Sequence, residues 1–132
     1  MKGLHIIADL HNCQKGELLV SSDNLRALCV ETCREAGLTV LGDHFYQFDG
    51  ADSTQQGGAT GAVVLAESHL AIHTWPERDG ATLDVYVCNY TADNTAKAES
   101  VYASLVKALK PADVLVERIQ RGRDLPLKKR VA

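Results

Sequence analysis

The chain has 132 residues, with 45% apolar and 23% charged side chains and a net charge of −3. That is one domain's worth of chain, long enough to bury a core without staples and too apolar to be disordered. The longest run without polar side chains, residues 61–66, is too short to span a membrane. The opening Met1-Lys2-Gly3-Leu4-His5 has no signal-peptide core, so residence in the cytoplasm is expected, and the acidic balance disfavours a nucleic-acid partner.

In chain order, residues 4–8 read as a first strand. Ser21 or Ser22 caps a helix that runs to Ala36 and stops at Gly37. Leu25, Leu28, Cys29, Thr32, Cys33 and Ala36 recur at helical spacing, which assigns Cys29 and Cys33 to the core. With Cys13 and Cys88 they are expected to be reduced; there is no C-x-x-C pair, and no metal is expected. Residues 38–48 form a strand ending in Phe45-Tyr46-Gln47-Phe48. Residues 49–59 mix glycines with Asp, Ser, Thr and Gln and form a loop. Residues 60–66 and 69–75 are short strands, residues 76–80 a turn, and residues 81–88 an alternating strand. An amphipathic helix covers residues 93–110, with Val101, Leu105, Ala108 and Leu109 on its stripe and Pro111 after it. Residues 114–119 form a last strand, and the basic tail from Arg121 to Arg130 reads as solvated charge. This order predicts one α+β domain over residues 1–132, a two-layer sandwich with a largely antiparallel sheet and helices on one face.

The chemistry concentrates on one hairpin. In residues 69–75, Leu70 and Ile72 point one way; His69, Ala71, His73 and Trp75 point the other. In residues 81–88, Leu83, Val85 and Val87 form the apolar face, opposite Thr82, Asp84, Tyr86 and Cys88. The expected register sets Cys88 opposite His69 or Ala71, beside Ser68, and His73 opposite Asp84 or Tyr86. A hydroxyl, an imidazole and a thiol on one non-core face point to a reactive site, although periodicity alone names no reaction.

The string Glu67-Ser68-His69-Leu70-Ala71-Ile72-His73-Thr74-Trp75-Pro76-Glu77 resembles the signature of the small prokaryotic pyruvoyl-dependent S-adenosylmethionine decarboxylases, and Cys88 falls at the family's spacing. The resemblance extends over the Phe-Tyr-Gln-Phe strand, Thr60-Gly61-Ala62-Val63-Val64 and Arg121-Gly122-Arg123. It implies a zymogen that cuts itself. Ser68 attacks the carbonyl of Glu67, and the ester is eliminated and hydrolysed to a covalent pyruvoyl cofactor at residue 68. The products are a β chain of residues 1–67 and an α chain of residues 68–132. His73 matches the processing histidine, Thr60 a supporting hydroxyl, and Cys88 the general acid. The ketone is expected to take the substrate as a Schiff base and act as its electron sink.

The same resemblance makes Phe48, Glu67, Trp75 and Glu77 the substrate-binding residues, the aromatic pair through stacking or cation–π contact. Core packing competes for Phe48, and a plain turn carboxylate for Glu77. The implied product is the decarboxylated aminopropyl donor of spermidine synthesis, made by a homodimer of cleaved protomers. Two features depart from the family. Thr60 stands where serine is usual, and the connector of residues 49–59 is longer and lacks the family's proline. Asp49 and Asp52 in that connector could salt-bridge a basic amino acid, so an L-arginine or L-ornithine decarboxylase on the same scaffold is the second reading. A non-cleaving regulatory paralogue is a distant third and a metal-binding module a fourth.

Overall fold

A computed structural model describes residues 1–14, 16–52 and 55–125; the end of the basic tail lies outside the described residues. The elements are β1 (Gly3–Cys13), α1 (Gly16–Val20), α2 (Ser22–Glu35), β2 (Thr39–Gln47), β3 (Ala59–Ala66), β4 (Ser68–Trp75), a 3₁₀ turn (Pro76–Arg78), β5 (Gly80–Cys88), α3 (Thr95–Leu109) and β6 (Pro111–Arg121). The strands form one six-stranded antiparallel sheet in the order β2-β3-β4-β5-β1-β6.

Alternation decides which face is covered. Ile6, Ala8 and Leu10 of β1, Leu70 and Ile72 of β4, and Leu83, Val85 and Val87 of β5 are buried. Leu25, Cys29 and Cys33 of α2 and Ala98, Val101, Leu105 and Leu109 of α3 close over them. Each fully buried aliphatic side chain stabilises the fold by about 1.5–3 kcal/mol relative to exposure. Burial also pushes the Cys29 thiol well above its ordinary range and Cys33 up to about 11, so both are inert core groups. This is the two-layer α+β arrangement that the element order predicts.

The helix boundaries have local causes. Ser21 Oγ accepts from Asn24 N at 3.2 Å to cap α2, and Gly37 ends it at φ 88°. Lys110, at φ 50°, ends α3 one residue before Pro111 starts an edge strand. Three elements differ from expectation. β1 continues past residue 8 to Cys13, and β6 covers Pro111–Arg121, because the two strands pair along nearly their whole length. α1 is a single turn, too short to leave a periodic signal.

Candidate active site

At one end of the sheet, Leu65 pairs with Ser68, so Ala66 and Glu67 form the hairpin turn between β3 and β4. The expected cleavage bond, Glu67–Ser68, therefore sits at a hairpin tip, with Glu67 exposed and Ser68 half-buried. Cys88 ends β5 opposite Gly3 and is 5% exposed. A Cβ on Gly3 would stand 2.2 Å from the Val87 carbonyl oxygen, so only glycine lets β1 approach there. The Cys88 carbonyl accepts from Asn94 Nδ2 at 2.9 Å, and Asn89 Oδ1 accepts from Asn94 N at 2.8 Å. Asn89 and Asn94 thus fix the thiol's strand end to the start of α3. The sequence reading missed them, although asparagines between a strand and a helix are a turn and cap signal.

The hairpin register corrects the expected one. β4 pairs with β5 as His69–Tyr86, Ala71–Asp84, His73–Thr82 and Trp75–Gly80. Cys88 is therefore opposite neither His69 nor Ala71, and His73 is opposite neither Asp84 nor Tyr86. The cause is the tight turn at Pro76–Arg78, closed by Asp79 N donating to Pro76 O at 3.1 Å with Asp79 at φ 49°. The slip is an even number of residues, so every side chain keeps its expected face. Cys88 runs past the last pair, toward the turn that holds Glu67, just before Ser68 starts β4.

The other end of the sheet holds a second group. Thr60 pairs with His73, and Thr60 Oγ1 and His73 Nδ1 share a hydrogen bond. The added methyl of the threonine leaves its hydroxyl in reach of the ring. Trp75 lies 6.2 Å from the His73 ring. Phe48, Asp49, Thr60, His73, Trp75 and Glu77 border a cavity of about 1280 Å³, ample for a nucleoside-sized ligand. Phe48 is 49% exposed, so core packing does not explain it; it meets Tyr46 edge-on at 5.0 Å. Beneath this wall, Thr74 Oγ1 donates to Leu19 O at 2.7 Å and accepts from Ala59 N at 2.8 Å. That buried residue ties β3 and β4 to α1, a role its motif did not reveal.

The two groups do not meet within one chain. Ser68 and His73 are five residues apart on β4, about 16 Å at the rise of a strand. On the open face near Ser68 stand other rings: His69 and Tyr86 at 5.5 Å, with His5 5.6 Å from Tyr86 and 6.1 Å from His69. Arg121 Nη1 donates to His5 Nδ1 at 2.9 Å, which leaves the neutral imidazole's proton on Nε2. That Nε2 is buried without a hydrogen-bond partner, 3.8 Å from Asp84. Burial pushes His5 below its ordinary pKa, Asp84 pulls it up, and Arg121 and His69 push it down. Among the described residues no group of three or more His, Cys, Asp or Glu is arranged to hold a metal ion, and no helix is long and apolar enough to cross a membrane.

Residues 4–122 match the family model described as S-adenosylmethionine decarboxylase. The chain belongs to this family. S-adenosylmethionine decarboxylase proenzymes from Hydrogenobaculum and from Aquifex aeolicus are each 38% identical over 91% of this chain and 81% of their own length. The one from Picrophilus torridus is 36% identical over 91% of this chain and 84% of its own length. The crystal structure of the adenosylmethionine decarboxylase from Aquifex aeolicus superposes with a TM-score of 0.79 at 34% identity, covering 93% of this chain and 92% of that one. As a member of the S-adenosylmethionine decarboxylase family, the chain is of the carboxy-lyase type, on the family's fold.

Proposed function

We propose that the protein cleaves itself at Glu67–Ser68 and then decarboxylates S-adenosylmethionine, as a cytoplasmic homodimer. The observation that carries this reading is the placement of the family's signature. The bond that this reading cleaves, Glu67–Ser68, is at a hairpin tip, and Cys88 ends the neighbouring strand toward it, which supports the reading. In cleavage, the Ser68 oxygen bonds to the Glu67 carbonyl carbon, and the peptide C–N bond breaks as its nitrogen takes a proton. Loss of the Ser68 α-proton then expels Glu67 as a free carboxylate. Water replaces the nitrogen, which leaves as ammonia, so residue 68 ends as a pyruvoyl group. A half-buried serine at the hairpin tip, with a cysteine ending the next strand, fits a small ketone there. Once formed, the ketone supplies an electron sink for the substrate carbon that loses carbon dioxide.

The chain's own residues do the rest. Cys88 holds the proton that this carbon takes up. Phe48 and Trp75 provide aromatic faces for a purine or a sulfonium, and the Asp49 and Glu77 carboxylates favour a cationic substrate. His73, bonded to Thr60, is the proton carrier for processing, and a second copy brings it to Ser68. The uncovered sheet face, with exposed Tyr46, Val64 and Leu115, supports a twofold pairing of two such faces. An antiparallel pairing lays one copy's His73 end over the partner's Ser68 end. The product, an aminopropyl donor, suits spermidine synthesis.

The test weighs the purified polypeptides and assays carbon dioxide release from S-adenosylmethionine, L-arginine and L-ornithine separately. Two chains of nearly equal mass, one beginning in a pyruvoyl group, and release from S-adenosylmethionine are expected. Release from arginine or ornithine alone would install the second reading, which Asp49 on the cavity wall favours. A single 14.3 kDa polypeptide without activity would install the non-cleaving paralogue.

A further inference from the structure

We infer that Gln47 is the positioning residue of the substrate cavity, the clasp that holds its long-connector wall in place. The inference deepens the decarboxylase reading and rests on it for the identity of the substrate. Gln47 ends β2, immediately before Phe48 and the connector. Its Oε1 accepts from the backbone N–H of Ser22, the first residue of α2, at 2.6 Å. Its Nε2 lies 3.3 Å from the Phe48 carbonyl oxygen and 3.1 Å from those of Gly57 and Gly58. Two N–H bonds thus serve both sides of the connector's neck. Phe48 N, donating to Gly58 O at 2.9 Å, closes the same neck.

The glycines let the neck close this far. A Cβ on Gly57 would stand 2.2 Å from the Phe48 carbonyl oxygen, and one on Gly58 would stand 2.2 Å from that of Thr74. The wall runs between these anchors: Phe48, Asp49, Gly50 and Ala51 border the cavity. Thr74, which also borders the cavity, has its own tie, to Leu19 of α1. Gln47 gives the connector wall an equivalent tie to α2. Lengthening a loop costs little stability but adds conformations, so ordering this wall would otherwise be charged to substrate binding. Gln47 is not among the cavity-lining residues and the reacting groups stand elsewhere, so its effect belongs in KM rather than kcat.

The test compares self-cleaved wild type with Gln47→Leu and Gln47→Glu. Gln47→Glu keeps the acceptor for Ser22 N but has no N–H to give the three carbonyls; Gln47→Leu loses both. Both are expected to raise KM for S-adenosylmethionine about tenfold, with kcat within about twofold and cleavage complete. Gln47→Asn, one methylene short, folds most safely and is expected to raise KM by a smaller factor. Trp75, the sole tryptophan, reports on the same cavity without catalysis. Acrylamide quenching of its fluorescence is expected to rise in all three variants as the wall opens. Wild-type behaviour of Gln47→Glu, a fall in kcat at constant KM, or unchanged quenching would each overturn the clasp. Raised quenching in variants of a wild type that is inactive on S-adenosylmethionine would keep the clasp and sink the substrate reading.

Discussion

Thr60 carries a methyl group that the family's usual serine lacks, yet its hydroxyl still meets His73 Nδ1. On the proposed processing role of Thr60, the hydroxyl rather than the size of the side chain is the part that matters. Thr60→Val is expected to slow self-cleavage about tenfold, the worth of one hydrogen bond to a proton-carrying group, while Thr60→Ser cleaves normally. A time course on denaturing gels reads both. His5 gives a second expectation. Burial lowers its pKa, against Asp84 and with help from Arg121 and His69. The unfolded chain then binds the proton first as pH falls. Stability is full above about pH 6.5, the unfolded histidine's value, and declines below it toward the lowered folded value. The melting temperature of wild type should therefore fall more steeply between about pH 7 and pH 5 than that of His5→Asn. Equal slopes would show that His5 does not set this dependence.

Among the elements, the connector between β2 and β3 is where local sequence and tertiary contact must agree most closely. Gly58 lies between Gln47 and the Thr74 carbonyl with no room for a side chain. Gly58→Ala is expected to destabilise the protein by about 1–3 kcal/mol, as overpacked sites do, and to lower the thermal midpoint measured by calorimetry. The hairpin of β4 and β5 shows a different dependence. Its faces follow from alternation and survive a slip of register by an even count. Its register follows from the 3₁₀ turn at Pro76–Arg78, whose closure the residue types alone leave open. Cys88 consequently extends beyond the hairpin ladder instead of facing a histidine, and it pairs with Gly3 of β1 on its other side.

For the whole molecule, the residues of the proposed site fall into two groups at opposite ends of the sheet. Ser68 and Cys88 lie toward one end; Thr60, His73, Trp75 and Glu77 lie toward the other. If a second copy completes each site, two defective chains can repair one another. Ser68→Ala and His73→Ala, each uncleaved alone, are expected to yield cleaved His73→Ala chains when coexpressed. The mixed dimer retains one site with an intact Ser68 from one copy and an intact His73 from the other. Mass spectrometry identifies which chain was cut, and no cleavage in the mixture would show that each chain acts on itself.

By itself the sequence determined the fold class, the buried stripes of α2 and α3, the two faces of β4 and β5, and the family to which Ser68, His73 and Cys88 point. These rest on short-range periods and on a contiguous motif, so they can be read along one segment. Only the tertiary structure decided that Thr60 pairs with His73 and that β1 approaches Cys88 through Gly3. It also decided the hydrogen bonds of Gln47 to the connector, of Thr74 to Leu19, and of Asn94 to Cys88 and Asn89. Such facts depend on strand register, turn closure and hydrogen bonds between segments far apart in sequence. Residue types permit many registers and closures; packing the whole sheet against its helices selects one.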